Sequence, residues 1–286
     1  MTSPVRAALA GVSLGDGLPV AVIGALNVGP GSFYAGSVVT SADDLLRAAE
    51  RMVREGAVVL DVGARSTAPY LSDAISASEE GERLAWAISR LAGKLGVAIS
   101  ADTSRVEPAR AALDAGAGII NDVRGLTGDP GLAPLVAERG AGLLVMASEA
   151  AATTAGPPVE TVREVLQRAL DIAERAGIDP ERVVVDPGIG FFRRRDIAWH
   201  DWDCAMLAGL DRLRALGRPI CVGASRKSFI GRIAGEPDPA RRLPGSLAAA
   251  TAAVLAGAHM IRAHDVGDTV QAVRVAEAVR GAREPV

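Results

Sequence analysis

Lysine occurs at only two positions in this chain, Lys94 and Lys227, and asparagine at only two, Asn27 and Asn121, against a background rich in Arg, Ala and Gly. A scarce residue type in such a background marks places where its own chemistry is needed. Asn27, Asn121 and Lys227 all fall at the ends of short apolar runs. Other such ends carry Asp61, Asp102, Asp122, Met146 to Ser148, Asp186, Ser225, Arg226, Arg262 and His264. Asp and Asn together can read the edge of a heterocycle that presents an amine and a ring N–H beside acceptors. Lys227, Arg262 and His264 can hold a carbonyl oxygen and phosphate, and a Lys where the chain otherwise uses Arg points to a compact ammonium. Carboxylates at such ends also cap helices or brace loops, and Asp61 and Asp122 are open to either reading. There is no H-E-x-x-H, no paired His on one strand and no thiolate cluster, so a metal held by protein ligands alone is not expected. Asn27, with water, is the candidate ligand for a Mg²⁺ carried in by a pyrophosphate.

The runs that end in these residues recur about every 36 residues, the spacing of a strand–helix unit. They are Val20–Val28, Val58–Gly63, Val97–Asp102, Gly118–Val123, Gly142–Ser148, Arg182–Gly188, Pro219–Ser225 and His259–Val266. Each is nearly continuously apolar, as a strand buried on both faces should be. Between them lie apolar residues at helical spacing, clearest over Asp43–Glu55 and Thr161–Ala176. Gly56, Gly116, Gly140, Gly177, Gly217 and Gly257 stop most of these helices just before the next strand. The pattern predicts an α/β protein, a (β/α)8 TIM barrel spanning residues 1–286 as a single domain, with 1–18 as a segment preceding the first barrel strand. An open doubly wound sheet would call for a glycine-rich phosphate turn, and none opens a helix here. In the barrel, the polar residues at the strand ends face one mouth.

Composition narrows the partners. The 286 residues are 49% hydrophobic, enough for a sizeable core, and the net charge of −3 gives no basic footprint for nucleic acid. Two cysteines, Cys204 and Cys221, exclude a disulfide framework. The longest apolar run, Leu247–Ile261, is too short to span a bilayer, and no secretory signal is read, so no membrane association is expected and a cytoplasmic protein is.

The ordered motifs resemble those of the dihydropteroate synthase family over nearly the whole length. They are Leu26-Asn27-Val28, Asp61-Val62-Gly63 with Ser66-Thr67 and Pro69, Asp102-Thr103, and Ile119-Ile120-Asn121-Asp122-Val123. Then follow Asp186-Pro187-Gly188-Ile189-Gly190-Phe191, Ser225-Arg226-Lys227-Ser228-Phe229-Ile230-Gly231, Gly245-Ser246-Leu247 and Arg262-Ala263-His264-Asp265. The resemblance implies a transferase that joins 6-hydroxymethyl-7,8-dihydropterin pyrophosphate to an arylamine and releases pyrophosphate. It implies pterin contacts from Asp102, Asn121, Met146, Asp186, Lys227 and Arg262, with Asp102, Lys227 and Arg262 nearest the chemistry. Asn27, Arg262 and His264 would hold the pyrophosphate with Mg²⁺, and Pro69, Phe191, Lys227 and Ser228 would border the arylamine. The nucleophile would be the substrate amine, so no Ser–His or Cys–His pair is required, and the chain offers none.

The chain departs from the family pattern in the loops. Gly29 and Gly31 stand where the family has Thr and Asp, and Arg65, Ala68 and Tyr70 stand for Glu, Arg and Gly. Ala147-Ser148 replace a His, and Phe192 to Arg195 replace a G-K-like continuation. Arg65 and Arg193–Arg195 are expected at the mouth where the arylamine enters. Their charge would favour a ribosylated, phosphorylated aminobenzene of the methanopterin type over 4-aminobenzoate. Folate-type and methanopterin-type condensation therefore both stand, beside a pterin-binding protein without condensation activity or a pterin-dependent methyltransferase-like domain. A homodimer through outer helices is implied by the same resemblance. For Trp199, His200 and Trp202, packing is favoured over ligand contact.

Overall fold

Each predicted run contains a strand, and the strands line up in parallel in chain order. The computed structural model describes residues 4–29, 41–65, 75–153, 156–193 and 196–282. The barrel strands are β3 (Ala21–Asn27), β4 (Val59–Gly63), β5 (Ala98–Asp102), β6 (Ile119–Asp122), β7 (Gly142–Met146), β8 (Val183–Asp186), β9 (Cys221–Val222) and β10 (Met260–Ala263). They follow the order β8-β7-β6-β5-β4-β3-β10-β9, and a parallel bridge between Val185 and Ile220 joins the two ends. This is a single (β/α)8 barrel. The helices are α1 (Ala42–Arg54), α2 (Ala77–Leu91), α3 (Val106–Asp114), α4 (Leu132–Arg139), α5 (Pro158–Arg175), α6 (Trp199–Ala208), α7 (Ser228–Ala234), α8 (Leu243–Leu255) and α9 (Val266–Gly281).

The runs are apolar throughout because each strand serves two cores. Outward side chains such as Val22, Leu60, Ile120 and Val185 pack on the helices beside Leu45, Ile88, Val162 and Leu166. Inward ones, Ile23, Val59, Ile119, Leu144, Val184, Cys221 and Met260, fill the lumen. Ala249, Ala250, Ala253 and Val254 of α8 are buried, so that Ala-rich stretch packs within the barrel. Gly140 and Gly217 take the left-handed conformation at the ends of α4 and of the turn before β9, at φ +58° and +65°. Among the described residues, no helix is long and apolar enough to cross a membrane.

The segment ahead of the barrel has its own structure. Strands β1 (Arg6–Leu9) and β2 (Val12–Gly15) pair as an antiparallel hairpin. Its two-residue turn, Ala10-Gly11, has positive φ at both positions, which matches the twist of the flanking strands. Leu9 and Leu14 are fully buried in the lumen core. A Cβ on Gly118 or Gly142, at the starts of β6 and β7, would meet Ala10 or Leu9, which places the hairpin across the N-terminal end of the barrel. The opposite end is left for the polar ring.

Candidate active site

Register puts much of the ring in one layer. Asn27 pairs with Gly63, Gly63 with Asp102, and Asp102 with Asn121, across four adjacent strands. Gly63 keeps that layer open, since a Cβ there would lie 3.4 Å from Asn27 Oδ1 and 3.6 Å from Asp102 Cβ. Asp61 lies two residues earlier on β4 and is fully buried. Its Oδ2 accepts from Arg262 Nε at 2.6 Å and from Asn121 Nδ2 at 3.0 Å. Arg262 Nη2 reaches Asp102 Oδ2 at 3.1 Å. One guanidinium thus bridges two buried carboxylates, and Asp61 belongs to the site as the acceptor that aims both Arg262 and Asn121. Asp122 takes the other reading. Its two oxygens accept from the backbone N–H of Arg124 and Leu126 at 2.9 and 2.6 Å and brace the loop.

The second half of the ring comes from β8, the turn after it, and the segment into α7. Asp186 Oδ1 accepts from Gly188 N at 2.7 Å. A Cβ on Gly223 would sit 3.9 Å from Asp186 Oδ2 and 3.7 Å from Arg262 Cβ, so both side chains border the same space. Lys227 Nζ donates to the Ile189 carbonyl and lies 4.3 Å from the Phe191 ring centroid. Met146, at the end of β7 opposite Asp186 in register, is buried. His264 Nδ1 lies 3.0 Å from Ser225 Oγ, which also accepts the His264 backbone N–H. That hydroxyl fixes the orientation of the imidazole at the mouth.

Burial sets the electrostatics. It pushes the Asp102 carboxyl up to about 7 against the pull of Arg262, with Asp61 adding repulsion. It raises Asp186 as well, opposed by Lys227 and the Gly188 amide. Lys227 is brought down to about 8 by burial, with Asp186 and Asp203 holding it up. His264 falls to about 3 through burial and the neighbouring Arg262, so its imidazole is neutral and acts as a hydrogen-bond donor rather than a cation. Asp61 Oδ1 and Asp102 Oδ1 are buried and accept no hydrogen bond from any described residue. Buried acceptors left open in this way call for donors from a ligand or water. A dihydropterin edge, with its amine and ring N–H groups, is such a ligand.

The arylamine side departs from the sequence expectation in a specific way. Arg65 Nε lies 3.2 Å from Glu80 Oε2, and Glu80, on α2, is fully buried. Arg105 reaches the same oxygen at 3.1 Å, and Thr103 donates to Oε1 at 2.6 Å. The charge of Arg65 is therefore offset within the protein. Arg193 Nη2 donates to Ser228 Oγ at 2.5 Å and Nε to the Gly190 carbonyl at 3.1 Å, while its guanidinium lies 4.2 Å from the Trp199 ring centroid. Phe192 stacks on Trp202 at 5.0 Å. The Trp199–Trp202 stretch thus packs α6 against the turn after β8 and seats Arg193 beside Ser228. Pro69, Arg194 and Arg195 lie outside the described residues, as do 30–40 and 66–74.

Two residues escaped the motif reading. Glu80 sits in an acidic run that looks like a solvated helix face. Asp203 follows a tryptophan on α6, and an acid inside that aromatic stretch was its only signal. For Mg²⁺, no group of three or more His, Cys, Asp and Glu among the described residues is placed to hold a metal. Asn27 supplies one amide oxygen beside Gly63, which suits a Mg²⁺ that arrives on a pyrophosphate and keeps most of its waters.

Residues 23–264 match the family described as pterin binding enzyme. The chain is 41% identical over 273 residues to a dihydropteroate synthase of Mycobacterium leprae, covering 90% of this chain and 92% of that one. A solved dihydropteroate synthase of Xanthomonas albilineans with 4-aminobenzoic acid superposes with a TM-score of 0.86 at 36% identity, covering 99% of this chain and all of the other. The same enzyme in complex with 7,8-dihydropteroate gives a TM-score of 0.83 over 98% of this chain.

Proposed function

The chain belongs to the pterin-binding enzyme family, and we propose that it condenses 6-hydroxymethyl-7,8-dihydropterin pyrophosphate with 4-aminobenzoate, releasing pyrophosphate. It is a transferase of the dihydropteroate synthase type, in folate biosynthesis. The observation that carries the reading of the site is the Arg262 bridge between Asp61 and Asp102, with Asn121 on the same carboxylate. This layer presents two open carboxylate oxygens to a ligand that offers donors, while Asp186 and Lys227 border the same space. Asp186 takes the pterin amine and ring N–H, and Lys227 the carbonyl side.

In the reaction, the bond from the exocyclic carbon to the pyrophosphate oxygen breaks and its electron pair leaves with the pyrophosphate. The dihydropterin ring supplies electrons, so cationic character develops on the exocyclic carbon. Asp102, in its ionised form, stabilises that charge through space. The arylamine nitrogen forms the new bond and loses its proton to solvent. Asn27, Arg262 and the neutral imidazole of His264 hold the leaving anion. Mg²⁺, with Asn27 as its protein ligand, would neutralise the pyrophosphate charge.

The pairing of Arg65 with Glu80 favours the small acceptor, because a guanidinium already matched by a buried carboxylate has less to offer a phosphate tail. A cytoplasmic homodimer is the expected setting. The test is pyrophosphate release from the dihydropterin pyrophosphate with each acceptor in turn. The expected result is a higher specificity constant for 4-aminobenzoate than for the ribosylated, phosphorylated aminobenzene. The reverse ranking would assign the methanopterin-type reaction. Pterin binding with no release from either acceptor would leave a binding protein.

A further inference from the structure

Asp203 has no place in the reaction as described, yet its side chain is fully buried. Its Oδ1 accepts from the Gly190 backbone N–H at 2.7 Å, and its Oδ2 accepts no hydrogen bond from any described residue. Gly190 has φ +82°, and a Cβ there would come within 2.7 Å of Lys227 Cδ. The turn is therefore the wall on which the Lys227 stem rests. The residue before Gly190 gives its carbonyl to Lys227 Nζ, and the residue after it sets an aromatic ring 4.3 Å from the same atom. Behind this cradle stands Asp203, fastened to its central peptide.

A neutral amide at position 203 would serve the Gly190 N–H equally well. A carboxylate buried with a single hydrogen bond is costly unless its charge meets a cation. The charged groups that act on Asp203 are Lys227 and Arg193, from outside its helix, and His200 on its own helix. Those acting on Lys227 are Asp186, Asp203, Arg262 and Arg193.

We propose that Asp203 is a positioning residue that fixes the Gly190 turn around Lys227 and keeps the Lys227 amine an ammonium at the pterin site. The proposal rests on the reading of Lys227 as pterin-facing. It adds to that reading a residue on α6 that touches no substrate. Burial brings Lys227 down to about 8 and Asp203 up to about 6, and in each case the charge of the other group opposes the shift, so each supports the charged form of the other near neutral pH.

The scarcity of lysine makes the test direct. Full-length protein labelled with ¹³C-lysine gives signals from Lys227 and from Lys94, which is exposed and serves as an internal control. In the wild type the Lys227 Cε signal should titrate near pH 8. In Asp203→Asn, which retains an acceptor for the Gly190 N–H, the same titration should move to lower pH with Lys94 unmoved. Affinity for 6-hydroxymethyl-7,8-dihydropterin should match the wild type at about pH 5, where Asp203 is protonated. At about pH 8 it should be weaker by about threefold to tenfold. An unchanged Lys227 titration in Asp203→Asn overturns the proposal. Should that variant fail to fold, the wild type supplies a second reading: the Lys227 signal must show a step near pH 6 that Lys94 lacks, and a flat response there overturns it equally. None of these measurements involves an arylamine, so their outcome is independent of the acceptor assay.

Discussion

At the scale of single residues, the site concentrates charge that the fold would be more stable without. Asp102 sits behind the mouth with its carboxyl raised from 3.8 to about 7, chiefly by burial. The folded chain therefore binds this proton more tightly than the unfolded chain does. Between those two values, stability must fall as pH rises, since the unfolded state gives up the proton first. Asp102→Asn removes that term. Urea unfolding should show the variant gaining on the wild type from about pH 5 to about pH 8, by on the order of 2 kcal/mol. Condensation should fall by at least about tenfold in the same variant, because the charge that balances the developing cation is gone. A variant that neither gains stability at high pH nor loses rate would remove Asp102 from the proposed role.

At the scale of elements, the exit from β4 depends on a carboxylate that belongs to the following helix. Glu80 of α2 carries Arg65, Arg105 and Thr103 on its two oxygens. Replacing one partner of a buried ion pair strands the others, so Glu80→Ala should cost about 3–5 kcal/mol in chemical denaturation. Arg65 is expected from the sequence on the arylamine side of the mouth, so the KM for the arylamine should rise more than that for the pterin. Equal effects on both substrates would mean that the brace serves the barrel as a whole and not the arylamine side. This pair also shows where sequence reading stops. The strands were legible because residues buried on both faces are apolar on both faces. Asn27, Asp102, Asn121, Asp186, Lys227 and Arg262 were legible because they interrupt apolar runs at strand ends. Glu80 stands among Glu79 and Glu82, and only the packing of α2 separates it from its solvated neighbours. Arg65 was expected to act on the ligand, and its local sequence carries no sign of the carboxylate 15 positions further on that answers its charge. The hairpin was missed for a related reason. Of its four-residue strands, β1 alternates in burial and β2 does not, and neither carries enough residues for a pattern to emerge.

At the scale of the whole molecule, the barrel divides its labour between two ends. The C-terminal end holds buried charge, and the N-terminal end is sealed by the hairpin. Asp16 secures the seal by accepting from Val5 N at 2.8 Å and pairing with both terminal nitrogens of Arg214 at 2.7 and 2.6 Å. Leu9 enters the lumen there and is fully buried against the starts of the strands. Truncating it leaves a cavity in a core that cannot collapse, because the surrounding strands are hydrogen-bonded in a ring. Leu9→Ala should therefore cost about 2–5 kcal/mol. The polar ring lies at the far ends of the same strands, so the specificity constant per folded molecule should stay within about twofold of the wild type. Asp186→Ala should do the opposite, weakening pterin binding by about tenfold or more with a smaller change in stability. Calorimetry of unfolding and of pterin binding on the two variants reads both axes. If Leu9→Ala also abolishes binding at temperatures where it remains folded, then the hairpin supports the site through the barrel, and the two ends are a single cooperative structure.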